Sequence, residues 1–256
     1  MSRNIRMEHA KETVAICGAG QYTSPRGVRV DIATAIKSAR AGTVMYSPER
    51  APTFQERTQP AATQINVENE TTFSAIQRLA TRGDHVACLN FASAKNPGGG
   101  FLSGAQAQEE CLARASGLYP CLLAAPEYYE RNRASHSSLY LDLIIYSPRV
   151  PFFRDDSGVL LEEPVLASVI TAPAPNAGAV ATGEPRNSHL ITPALQRRAE
   201  LILQIAAAHA IDSLVLGAWG CGVFRNNPKS GGDSLSRPPE AGSLSKRVFR
   251  SCVRRL

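Results

Sequence analysis

Asn96-Pro97-Gly98-Gly99-Gly100-Phe101-Leu102-Ser103-Gly104-Ala105-Gln106-Ala107-Gln108-Glu109-Glu110 sets a bare stretch of backbone ahead of a pair of acids. Three consecutive glycines give up side-chain contact, and they suit a loop whose main chain lies against a ligand. After seven intervening residues come an amide and two adjacent carboxylates. Ahead of the glycines, Val86-Ala87-Cys88-Leu89-Asn90-Phe91-Ala92-Ser93 reads as a buried strand. Strand, glycine loop and helix in that order build an α/β domain that binds ligand at the strand ends. A bare backbone beside paired acids suits hydrolysis of an anionic, sugar-containing substrate. Amides hold phosphate and ribose, and an acid protonates a leaving oxygen. Each piece taken alone has a plainer reading, since glycine loops are commonly turns and acids commonly open solvated helices.

Outward from this stretch the chain alternates. Met7, Ala10, Val14 and Cys17 fall at helical spacing before Gly18-Ala19-Gly20, a helix stop. Val28 to Ile32 alternates as a half-exposed strand, and residues 46–62, rich in Pro, Gln and Arg, read as loop. Residues 62–67 are strand-like, and Asn69 is expected to cap a helix carrying Phe73, Ile76 and Leu79. A helix starting near Ala105 is expected to carry Cys111, Leu112, Ala115 and Leu118 on one face. Leu139–Tyr146 and Val165–Thr171 are expected strands, with hairpin turn chemistry at Phe152–Leu160 between them. Thr192-Pro193 reads as the N-cap and first position of a helix leading to a strand at 214–216. The expected division is an extension over 1–60, a main domain over 61–228, and a low-complexity basic tail over 229–256.

Bulk properties narrow the classes. A chain of 256 residues with 43% hydrophobic and 20% charged residues is that of an ordinary globular protein of one or two domains. No apolar run reaches the roughly 20 residues that span a bilayer, and the first residues lack a secretory core, so a cytoplasmic, membrane-free protein is expected. Six scattered cysteines without a CxxC pair suggest reduced thiols. The net charge of +6 is concentrated in Lys246–Leu256, which leaves +1 for residues 1–245. Direct nucleic-acid binding is therefore not expected of the body.

Leu214-Val215-Leu216-Gly217-Ala218-Trp219-Gly220-Cys221-Gly222-Val223-Phe224-Arg225-Asn226 is a second strand running into a second glycine loop. Three glycines, a spacer of six to eight residues and Gln-Glu-Glu, paired with this second loop, resemble the microbial-type poly(ADP-ribose) glycohydrolases over residues 5–227. The resemblance implies a three-layer α/β/α macrodomain with a mixed central sheet and an N-terminal extension. It implies hydrolysis of ribose–ribose O-glycosidic bonds, mainly at chain ends, releasing ADP-ribose.

By the same resemblance, Glu110 is the general acid and then the base that activates water, and Glu109 holds ribose hydroxyls. Gln108 supports the pair by hydrogen bonding, Gly98, Gly99 and Gly100 approach the distal ribose and phosphate, and Asn96 contacts sugar. Gly220, Cys221, Gly222, Val223 and Phe224 correspond to the diphosphate loop, with Phe224 covering a ribose or base face. A helix N-terminus favours carboxylate, so protonation of the acid is expected to depend on bound substrate. No metal or cofactor is implied. The expected partners are poly(ADP-ribose) or ADP-ribosylated proteins, and a monomer is expected.

Other residues read as structural. Trp219 is expected to be a packing anchor, Cys221 no nucleophile, and the five histidines show no ligand spacing. Tyr128-Tyr129 either line a cleft or cover core. Family members continue after the second loop with an amphipathic helix and a closing strand, and neither is legible here. The alternatives are a non-catalytic ADP-ribose reader, or a recognition module whose basic tail docks nucleic acid or an acidic protein.

Overall fold

The computed structural model describes residues 1–53 and 63–227, together with the backbone of 247–251. The chain opens with helix α1 (Arg3–Ala19), whose first turn is capped by Ser2 and whose end is closed by Gly20. A small antiparallel hairpin follows, β1 (Gln21–Thr23) with β2 (Arg29–Asp31), then α2 (Ala33–Ala41) and β3 (Val44–Tyr46). β4 (Ile65–Glu68) leads to α3 (Thr72–Ala80) and to β5 (Val86–Phe91). Three helices follow: α4 (Gln108–Ala115), α5 (Leu118–Leu123) and α6 (Pro126–Ala134). The long hairpin of β6 (Ile144–Arg154) and β7 (Leu160–Ala172) precedes α7 (Ala177–Gly183), α8 (Ile191–Ala208), β8 (Ser213–Leu216) and β9 (Arg247–Ser251).

Among the described residues, seven strands form one mixed sheet in the order β3-β6-β7-β5-β8-β9-β4. From β7 to β4 neighbouring strands run parallel, while β6 runs antiparallel to both β7 and β3. Alternate residues of β5 face opposite layers, the pleat expected of a strand covered on both sides. Val86 and Cys88 pack with Phe73, Ile76 and Leu79 of α3 and with Leu112, Leu118 and Tyr128. Ala87 and Leu89 pack with Leu195, Ala199, Ile202 and Ile205 of α8. The result is the three-layer α/β/α domain expected from the sequence. Residues 1–46 pack against it, and their last strand, β3, lies at the edge of the same sheet.

Several local expectations change. Helix α3 is capped by Thr71, whose hydroxyl accepts the Ser74 amide, and not by Asn69. The helix expected from Ala105 starts at Gln108, because Phe101–Ser103 form a 3-10 turn and Gly104 is left-handed. Leu118 belongs to a separate helix, since Ser116 is extended. Residues 139–143 lie outside the strand expected there. Buried Arg198 takes the carbonyls of Leu139 and Tyr140 at 2.7 and 2.8 Å and pairs with Asp142 at 2.7 Å, so a side chain replaces the sheet ladder. Thr192 is no cap; α8 starts at Ile191 and continues a 3-10 segment, Pro185–Leu190. The closing strand that was not legible is β9, paired on one side with β8 and on the other with β4. The low-complexity stretch 230–243 and most of the loop expected at 46–62 lie outside the described residues.

Candidate active site

β7, β5 and β8 are adjacent and parallel, so the loops leaving their carboxyl ends emerge on one edge of the sheet. The loop after β5 carries the glycines and leads into the carboxylates. That after β8 is tied to the segment following β7. Trp219 Nε1 donates to Ala172 O at 3.1 Å, Asn226 Nδ2 to Pro175 O at 2.7 Å, and Gly178 N to Phe224 O at 3.2 Å. Trp219 is 1% exposed, the packing anchor expected of it.

The two carboxylates occupy different environments. Glu110 is half-buried in the first turn of α4, and its Oε1 accepts the Gly100 amide at 3.0 Å. Glu109 is only 3% exposed; its Oε2 accepts the Ser93 amide at 2.7 Å and its Oε1 the Asn90 Nδ2 at 3.3 Å. Burial pushes the Glu109 carboxyl up to about 8. The Ser93 amide opposes this, the Glu110 charge adds to it, and the Asn90 and Gly98 donors oppose it again. Glu109 therefore leaves only a residual edge open, whereas Glu110 presents an accessible face.

Gly99 explains why the turn has no side chain. Its φ is +58°, and a Cβ there would fall onto Glu110 Oε1 and stand 3.1 Å from Glu109 Oε2. The glycine turn thus cradles the acids first, and the Gly98 and Gly100 amides expected to meet substrate are directed at Glu109 and Glu110. Gln108 was expected to bond the pair. Instead it clamps the end of β5, with Oε1 accepting the Phe91 amide at 2.8 Å and Nε2 donating to Leu89 O at 2.7 Å. Asn96 is exposed, and its carbonyl accepts the Gly99 amide at 3.0 Å within the turn.

Across the edge, the second loop offers unpaired donors. The amides of Gly222, Val223 and Phe224 meet no acceptor among the described residues, and Val223 is 83% exposed. Successive free N–H groups of this kind make an anion nest. The Phe224 ring is half-buried and tilted against Tyr140, centroids 6.0 Å apart. Cys221 is partly buried, which pushes its thiol up and away from thiolate chemistry. Among the described residues no three His, Cys, Asp or Glu side chains gather as a metal site.

Sequence reasoning missed Asn90 and Ser93, which hold Glu109 from the strand side. Asn90 carried a signal, as the one amide in an otherwise apolar strand; it is fully buried and also bonds Thr171 Oγ1 at 3.3 Å. Tyr128 and Tyr129, left open by sequence, are buried at 0% and 2% with hydroxyls that meet no partner among the described residues. Burial, with Glu109 nearby, pushes both phenols up.

Comparison with known proteins places these features in context. The family model for the catalytic domain of microbial-type PARG, poly(ADP-ribose) glycohydrolase, matches residues 10–155, more than half of the chain. Poly(ADP-ribose) glycohydrolase from Thermomonospora curvata is similar at 44% identity and a TM-score of 0.89, over 97% of this chain and 93% of that one. The same enzyme bound to the inhibitor ADP-HPD is similar at 44% identity and 0.88, over 98% and 93%. Poly(ADP-ribose) glycohydrolase from Deinococcus radiodurans in complex with ADP-ribose is similar at 46% identity and 0.76, over 85% and 90%. No curated protein sequence matches.

Proposed function

The chain belongs to the microbial-type poly(ADP-ribose) glycohydrolase family and is a glycoside hydrolase; on that premise we propose that Glu110 supplies the proton and that cleavage proceeds mainly from chain ends. It acts on the ribose–ribose O-glycosidic bonds of poly(ADP-ribose) and releases ADP-ribose, and the family match favours this over a non-catalytic reader.

One observation carries the assignment of the acid. Of the two adjacent carboxylates, Glu110 alone has an accessible face, at the carboxyl edge of the sheet, where ligands bind in this architecture. Bond cleavage builds oxocarbenium character on the anomeric carbon while the leaving oxygen takes a proton. In this reading Glu110 gives that proton and then draws one from the water that attacks. Its Gly100 hydrogen bond fixes the carboxylate's orientation between the two steps. Glu109 is the buried partner that holds the turn through Ser93 and Asn90, and its exposed edge serves a ribose hydroxyl. The diphosphate lies on the Gly222–Phe224 amides, with Phe224 against ribose or base. A monomer acting in the cytoplasm on polymer or ADP-ribosylated protein is the proposed working form.

The experiment is ADP-ribose release from purified poly(ADP-ribose) by wild type and by Glu110→Gln. The variant is expected to lose about 10²- to 10⁴-fold in kcat while still binding polymer, the scale of general acid–base catalysis. Retained cleavage by Glu110→Gln would remove Glu110 from the role.

A further inference from the structure

Three arginines meet three consecutive carbonyls in the spacer that separates the glycine turn from the carboxylates. Arg3 Nε donates to Ser103 O at 3.0 Å, Arg6 Nε to Gly104 O at 2.7 Å, and Arg114 Nη1 to Ala105 O at 2.7 Å. Arg114, 6% exposed, also reaches Gln106 Oε1 at 3.2 Å, and its own carbonyl accepts the Thr13 hydroxyl of α1 at 2.6 Å. Gly104 has a φ of +75°, and a Cβ there would stand 2.7 Å from Arg3 O, so glycine is what lets α1 lie this close. Beneath the turn, Phe101 is fully buried with Ala10 of α1 and Ala113 of α4, and packs on Tyr119 at a centroid distance of 4.8 Å. The Phe101 ring also fills the space against Gly98 that a side chain there would need.

A helix that merely covered the domain would bury apolar side chains and leave loop carbonyls to water. Here Arg3 and Arg6, both in the first turns of α1, spend guanidinium hydrogen bonds on the spacer. Bonds from a charged donor are shorter and stronger than neutral ones. At one end of that spacer is Gly100, whose amide holds Glu110, and at the other is the first turn of α4, which carries Glu110 itself. The first turns of α1 are thus bolted to the segment that sets the acid's position.

We propose that Arg6 is a positioning residue for hydrolysis: by holding the Gly104 carbonyl it keeps the spacer and the first turn of α4 where Glu110 Oε1 meets the Gly100 amide. The proposal rests on the glycohydrolase reading and touches no atom of the substrate. A misplacement of about 1 Å at a reacting group costs up to ~10²-fold in rate. The free amides of Gly222 to Phe224 belong to a different loop, so Arg6 acts on turnover and not on affinity for ADP-ribose.

The test uses the full chain as wild type, Arg6→Ala, Arg6→Lys and Glu110→Gln. It measures kcat and KM for ADP-ribose release, the Kd for ADP-ribose by calorimetry, and the thermal midpoint. Arg6→Ala is expected to lower kcat about 10- to 100-fold with Kd changed less than about threefold. Arg6→Lys, which keeps the charge but not the planar fork, is expected to recover part of kcat at the wild-type midpoint. A kcat within about twofold of wild type in folded Arg6→Ala overturns the proposal. So does a parallel loss of kcat, affinity and midpoint, which is a scaffold effect. Should Arg6→Ala not fold, Arg6→Lys decides: reduced kcat at unchanged Kd supports positioning, unchanged kcat overturns it. The underlying reading fails differently, through a wild type that releases no ADP-ribose or a Glu110→Gln that still does.

Discussion

Glu109 and Glu110 are chain neighbours on one turn of α4, and the fold gives them opposite surroundings. Glu109 faces Ser93 and Asn90 inside the domain, where burial carries its carboxyl up to about 8. Between the ordinary carboxylate value of the unfolded chain and about 8, the native state keeps a proton that the unfolded chain has released. Stability from this group is therefore fully present at low pH, falls as pH rises through that window, and levels off above it. Glu109→Gln removes the titration while keeping shape and hydrogen-bonding capacity. Its thermal midpoint is expected to match wild type near pH 5 and to exceed it at pH 8 by at least about 2 °C, with activity lowered. A wild type whose midpoint does not decline relative to the variant between those pH values would contradict a buried neutral acid. The sequence identified the acids by their spacing from the glycines. It did not say which would be buried, because that depends on Asn90 and Ser93, contributed by the strand and not by the motif.

At the scale of elements, those that depend on their own residues were the legible ones. β5 follows from an apolar run too short for a helix, and the β6–β7 hairpin from the turn Asp155-Asp156-Ser157-Gly158. Element boundaries went wrong where a side chain from elsewhere intervened, as with Arg198 on the carbonyls of 139 and 140 ahead of β6, or where a left-handed Gly104 delayed α4. The cap of α3 is a measurable case. Thr71 accepts the Ser74 amide and donates to Asp156 of the hairpin turn, so one hydroxyl caps a helix and ties it to another element. Thr71→Ala is expected to cost about 0.5–2 kcal/mol of stability by urea denaturation. Thr71 lies at the amino end of α3, which follows β4 and so stands on the carboxyl edge of the sheet, beside Thr72, whose hydroxyl accepts Gln108 Nε2 at 3.3 Å. A substantial fall in kcat would mean that α3 takes part in positioning the site.

For the whole molecule, the notable strand is the last. β9 lies inside the sheet, with β8 on one side and β4 on the other, although composition from residue 229 onward gave no hint of it. Truncation after Lys246 removes the backbone partner of both strands and turns β8 into an edge. The thermal midpoint is expected to fall by more than about 5 °C, with ADP-ribose release lost in the same preparation, because the loop leaving β8 carries the free amides. An active truncated protein with the wild-type midpoint would show β9 to be dispensable. The sequence by itself determined the alternation of strands and helices, the glycine turn with its acids, and the second glycine loop. These are local patterns, written in residues close along the chain. Tertiary structure alone decided that Glu109 is buried and Glu110 accessible, that Gln108 clamps a strand, that arginines of α1 and α4 hold the spacer, and that a distant segment completes the sheet. Each of those depends on a partner that only folding brings near, and on the loss of water around it, which spacing along a chain does not encode.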